Sequence, residues 1–217
     1  MGEVRERKVR SDKKISIKPT IDLELYECVS RIHYITTTPL KDVGELICKK
    51  GLYSKKVMDH LSQYFRKNIT CNDIAYIGNP KLMSERSRKR KASDTTRIDI
   101  RFTQKVAEQI KDLAYALDRT PSTAVAMLLE ASIKNTDVVE EYISTFVEEV
   151  LDKNRKKQLK EVLHYINHDN PYKSEDEILT FSQLISHILD DAIDKTVNAR
   201  IAISDWLDRM VDDDGED

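Results

Sequence analysis

Glycine and proline are scarce, five of each in 217 residues, and aromatic residues make up only 6%. A turn-rich β-protein needs more of both turn formers, so the balance favours helices with solvated faces. A glycine-rich phosphate cradle has few places to sit and none is found, nor is there a GxSxG or HExxH pattern. Cysteine and histidine do not cluster, and no carboxylate pair lies in a glycine-bounded loop. The expectation is a chain without enzymatic parts, needing no cofactor and no metal. His164 and His168 lie four apart on an expected helix, a spacing that can bind zinc. No third ligand stands at a telling distance, and the plainer reading is a solvated helix face. The three cysteines, Cys28, Cys48 and Cys71, are odd in number, far apart and without a CxxC, which points to a reduced, cytoplasmic protein. No run approaches eighteen apolar residues and Met1–Arg10 is charged, so neither a membrane span nor a secretory signal is expected.

Charge is what the chain has in quantity, 34% of its residues. The net of -2 hides a polarity. Residues 137–217 hold 9 Lys/Arg against 21 Asp/Glu, and residues 1–136 hold 27 against 17, so a rear of -12 follows a front of +10. The positive charge gathers in Arg5–Lys18 and in the run Arg86, Arg88, Lys89, Arg90 and Lys91. A basic front suits nucleic acid and an acidic rear suits another partner. A pair of solvated, charged linkers is the bland alternative.

Five zones follow. Residues 1–12 read as a flexible charged arm. Residues 13–78 open on the alternating run Lys14-Ile15-Ser16-Ile17-Lys18-Pro19, followed by helical periodicity over Leu23–Tyr34 and from Leu40 to about Lys50. A further helix is expected from Ser54 to Arg66, with Val57, Met58, Leu61 and Phe65 on one face. Residues 79–94 read as a basic linker. Residues 95–136 repeat the plan: Arg97-Ile98-Asp99-Ile100-Arg101-Phe102 alternates like a half-buried strand. Thr103 then caps a helix reaching Leu117, with Val106, Ile110, Leu113 and Leu117 on its stripe. After Asp118-Arg119, Thr120 is a good N-cap with Pro121 at the first helical position. That last helix turns Val125, Leu128, Leu129 and Ile133 inward. Placing Thr38-Pro39 on Thr120-Pro121 suggests an internal duplication, the first unit one residue longer between strand and turn. Residues 137–217 read as an acidic helical domain for oligomerisation or partner binding. Capping boxes at Ser174–Glu177 and Thr180–Gln183 precede a final apolar helix there.

A lone six-residue strand must pair its backbone groups with something. The economical partner is a copy of itself, from the duplicated unit or from a second chain. Ile98, Ile100 and Phe102 then face a shared core, while Arg97, Asp99 and Arg101 face outward. In the first unit the outward set is Lys14, Ser16 and Lys18. A two-stranded ribbon fits the major groove of B-DNA, and an arginine fork matches guanine O6 and N7. The N–H groups and hydroxyls at Thr120, Ser122 and Thr123, and Thr38 in the first unit, are placed to hold phosphate.

Residues 95–136, with their strand, their spacing from Phe102 to Arg119 and their Thr-Pro helix start, resemble the ribbon-helix-helix family of the Arc and MetJ type. Residues 13–50 resemble it more loosely. The resemblance implies a mainly helical fold with short two-stranded antiparallel β-ribbons, base contacts from Arg97, Asp99 and Arg101, and phosphate contacts from Thr120 to Thr123. Two departures stand out: Asp118 where the turn usually has a small residue or glycine, and Pro19 ending the first strand. The expected function is sequence-specific double-stranded DNA binding as a transcriptional repressor, acting as a homodimer or higher homo-oligomer. An accessory protein of a plasmid-type relaxosome or partition complex is the nearest alternative. An antitoxin-like regulator that binds a protein through its acidic half is another.

Overall fold

The computed structural model describes residues 14–82, 92–146 and 153–172. The expected arm, the Arg86–Lys91 run and the capped segments after residue 173 lie outside them.

The two alternating runs find each other within one chain. Strand β1 (Ile15–Ile17) pairs antiparallel with β6 (Ile100–Phe102), and β2 (Thr20–Asp22) pairs with β5 (Thr95–Arg97). Ile15 faces Phe102, Ser16 faces Arg101 and Ile17 faces Ile100; further along, Thr20 faces Arg97 and Asp22 faces Thr95. Paired numbers add to the same total on both sides of the gap, so the register does not slip. It places Pro19 opposite Ile98 and Lys18 opposite Asp99. Ile98 N donates to Pro19 O at 3.3 Å, and Pro19 has no N–H to return. Pro19 therefore interrupts the first strand; it does not end it, as the sequence suggested. Ile98, Ile100, Phe102, Pro19 and Ile21 are all buried beneath the ribbon.

Helix α1 (Leu23–Thr36) and helix α2 (Leu40–Tyr53) follow the first strands. After α3 (Lys55–Ser62) and the ribbon's second half, α4 (Gln104–Leu117) and α5 (Pro121–Lys134) repeat them. All four are 14 residues long, and the offset is constant at 81, from Leu23 to Gln104 and from Leu40 to Pro121. Buried positions follow the same offset: Val29 with Ile110, Ile32 with Leu113, Ile47 with Leu128, Cys48 with Leu129. So do the two left-handed residues that end the first helices, Thr37 (φ 53°) and Asp118 (φ 54°). The first unit is thus not longer than the second. Its Thr-Pro dipeptide is one residue out of step, because Pro39 itself is the extended residue before α2 (ψ 137°), the place Thr120 takes before α5 (ψ 152°).

Helices α2 and α5 cross where their side chains are small. A Cβ on Gly51 would fall 1.8 Å from Ser132 Oγ and 2.9 Å from its Cβ. Gly51 and Ser132 are related by the same offset of 81, so α2 and α5 cross at matching positions. Ser132 returns its hydroxyl to Leu128 O at 2.6 Å, which satisfies it inside the core.

Ser54 caps α3, accepting from Val57 N at 3.4 Å. The helix stops at Ser62, short of the expected Arg66, and buried Phe65 packs from the turn beyond it. Next comes a hairpin that the sequence reading did not anticipate, β3 (Ile69–Cys71) against β4 (Ile74–Tyr76). Its turn residues Asn72 and Asp73 have φ 49° and 63°, the sign a two-residue turn requires and one that Asn and Asp tolerate.

Helices α6 (Thr136–Phe146) and α7 (Lys153–Asn167) close the core. Val138, Val139, Tyr142 and Ile143 of α6 and Leu159, Val162, Leu163 and Ile166 of α7 join the same apolar cluster as the ribbon and α1–α5. Helices α6 and α7 therefore have no core of their own apart from that cluster. The apolar packing runs on past residue 137, where the sequence suggested a boundary. No helix among the described residues is long and apolar enough to cross a membrane.

Candidate nucleic-acid interface

One face of the ribbon is polar and open. Ser16, Lys18 and Thr20 from the first strand stand beside Arg97, Asp99 and Arg101 from the second, all exposed. The alternation of the pleat forces this, since their neighbours are held in the core. Three cations against one anion leave the face positive. Ser16 Oγ donates to Asp99 Oδ1 at 2.5 Å, across the ribbon on the diagonal. Arg97 Nε donates to Thr20 Oγ1 at 3.3 Å, directly across, and leaves both Nη groups of that guanidinium for another acceptor. Arg101 makes no hydrogen bond or ion pair among the described residues.

Thr20 was absent from the expected outward set, and the reason is Pro19: reading it as a strand end hid the continuation Thr20-Ile21. The alternation Ile15, Ile17, Pro19, Ile21 carried the signal. Lys14, which was in that set, stands before β1 and is ion-paired to Glu45 of α2. The offset of 81 matches Ser16, Lys18 and Thr20 to Arg97, Asp99 and Arg101, and Lys14 has no counterpart among the three.

The start of α5 lies against the ribbon edge. Thr120 Oγ1 accepts from Thr123 N at 3.2 Å, and the two hydroxyl oxygens are 3.0 Å apart. Ser122 Oγ donates to Lys18 O at 2.6 Å. These groups, expected to hold phosphate, thus have structural partners, and Ser122 fixes the helix start to the middle of the ribbon. At the start of α2, Lys41 takes the place of Ser122. A shallow groove of about 380 Å³ remains there, lined by Tyr26, Pro39, Leu40, Lys41, Arg97, Ile98 and Asp99. Thr38 is not a cap: its hydroxyl donates to Thr36 O at 3.3 Å, and its carbonyl meets His33 Nδ1 at 2.5 Å.

Asp118 does more than turn the chain. Its carboxylate pairs with Arg66 and with Lys67, the latter at 3.0 Å, and these contacts hold its carboxyl below the usual range, the Lys67 hydrogen bond contributing most. Arg66 N and Lys67 N both donate to Ala116 O, at 2.7 and 3.1 Å. The end of α4 is so satisfied from the loop after α3. His168 lies just past α7 with Nδ1 3.3 Å from Asp169 Oδ2. No group of three or more metal-ligating side chains occurs among the described residues.

No family model, curated protein or solved structure matches this chain.

Proposed function

We propose that this chain is a sequence-specific double-stranded DNA-binding protein with two ribbon-helix-helix units in tandem, acting as a transcriptional repressor by occupying its operator. The observation that carries the reading is the ribbon face: six exposed polar side chains with net positive charge, presented by a two-stranded element of groove width over a continuous apolar core. Because the ribbon is completed within one chain, binding does not call for a second copy to pair the strands. The Arg86–Lys91 run, four residues before β5, adds phosphate contacts that are independent of sequence.

Alanine at Arg97 or Arg101 tests this directly. Each replacement weakens binding to the preferred duplex by about 1–3 kcal/mol and relaxes the preference at one base position. Fluorescence anisotropy on the selected duplex and its single-base variants measures both effects. Wild-type affinity in both variants rules out the ribbon as the reader.

A further inference from the structure

The two strands of the ribbon occupy equivalent positions but differ in chemistry. In a ribbon built from two copies of one chain, each outward residue recurs on the opposite strand, and the residue on the two-fold axis meets itself. Here the axis of the duplication passes through Lys18 and Asp99, which the register places opposite each other and the offset of 81 makes equivalent. The pair is one donor-only ammonium and one acceptor-only carboxylate. The flanking equivalents are unequal too: Ser16 matches Arg97 and Thr20 matches Arg101. Both arginines therefore stand on the second strand, and the first strand offers only hydroxyls at those places.

We infer that a single chain reads a non-palindromic duplex in one fixed orientation, with guanines on one DNA strand flanking a central C·G pair. This rests on the DNA-binding reading above. Strands about 4.8 Å apart fit a groove about 12 Å wide only when they run along it, so each strand lies nearer one DNA strand. Arg97 and Arg101 then both face the same DNA strand, where a guanidinium fork takes guanine O6 and N7. Four residues of strand span about 13 Å, or three to four base pairs at about 3.4 Å each. Asp99 sits between them, on the same side. One of its oxygens takes the Ser16 hydroxyl, and the other is left to accept from cytosine N4. Lys18, across the ribbon, donates to the guanine paired with that cytosine. The central base pair thus meets an acceptor on one side and a donor on the other, a polarity that two identical strands lack.

The experiment selects duplexes from a random pool with the purified full chain, then measures stoichiometry on the enriched duplex by native mass spectrometry. One chain per site and a non-palindromic motif with its guanines on one strand are expected. The exchange Lys18→Asp/Asp99→Lys reverses the central polarity at two exposed positions. It is expected to prefer the inverted central pair by about tenfold while keeping the flanking guanines. A palindromic motif, two chains per site, or an exchange variant without the inversion overturns the inference and leaves DNA binding standing. Failure to bind any duplex at low salt overturns DNA binding and the inference together.

Discussion

Cys28 and Cys48 are fully buried on α1 and α2, where neither forms a disulfide. Burial pushes the Cys28 thiol up from 9.0 to about 12, against weaker opposing pulls from Lys134 and Arg31, and burial alone raises Cys48. A thiol raised in the folded chain contributes stability that is intact below pH 9.0 and is lost as pH climbs toward the folded value. The thermal midpoint therefore falls between pH 9 and 10, before unfolded tyrosines titrate at about 10. A Cys28→Val/Cys48→Val variant shows a shallower fall, and subtracting it removes the opposite contribution of Lys134, which burial lowers. Parallel slopes in the two proteins would exclude the thiols as the cause. Lys134 itself is 8% exposed and spends its charge on the end of α7, donating to Tyr165 O and His168 O at 2.6 Å each. Nothing in its local sequence distinguishes it from a solvated lysine; its role exists only because α5 and the end of α7 are brought together.

Helices were the most legible elements, because Val106, Ile110, Leu113 and Leu117 recur at the spacing of one helical face. Their boundaries followed wherever a cap was local, as at Thr120. The hairpin at Ile69–Tyr76 was less legible: three-residue strands carry almost no periodicity, and the Asn72-Asp73 turn was the main clue. The α2–α5 crossing was not legible at all, since a glycine in a helix names no partner. That crossing gives the element-scale prediction. Gly51→Ala drives a methyl into Ser132 and destabilises the protein by about 1–3 kcal/mol through overpacking, read from the urea midpoint. The exchange Gly51→Ser/Ser132→Gly puts each residue at its counterpart's place and recovers much of the loss. No recovery would mean that something other than this contact sets the helix separation.

At the scale of the molecule, α6 and α7 are part of the core. Among the described side chains of α6 and α7, eight apolar ones are buried, four from each helix. At about 1.5–3 kcal/mol for each large apolar side chain, their burial is worth on the order of 12–24 kcal/mol before entropy is counted. That is as large as or larger than the net stability of about 5–15 kcal/mol usual for a folded domain. A chain ending at Asn135 is therefore expected to lose its cooperative melt and its near-ultraviolet circular dichroism. A sharp transition in that truncated chain would show that α6 and α7 only decorate a self-sufficient ribbon and four helices.

Alternation and 3.6-residue periodicity by themselves determined the two alternating runs, the four long helices of both units and which residues turn outward at Arg97, Asp99 and Arg101, because both follow from backbone geometry within a few residues. Four matters were left to tertiary structure: that the two strands pair in one chain, that Pro19 lies inside the ribbon, that Thr20 takes the place given to Lys14, and that α6 and α7 share the core. Each is a contact between residues far apart in sequence. Its register is set by burying Ile21 and Phe102 together under the ribbon and by the close approach of Gly51 to Ser132, which no local pattern encodes.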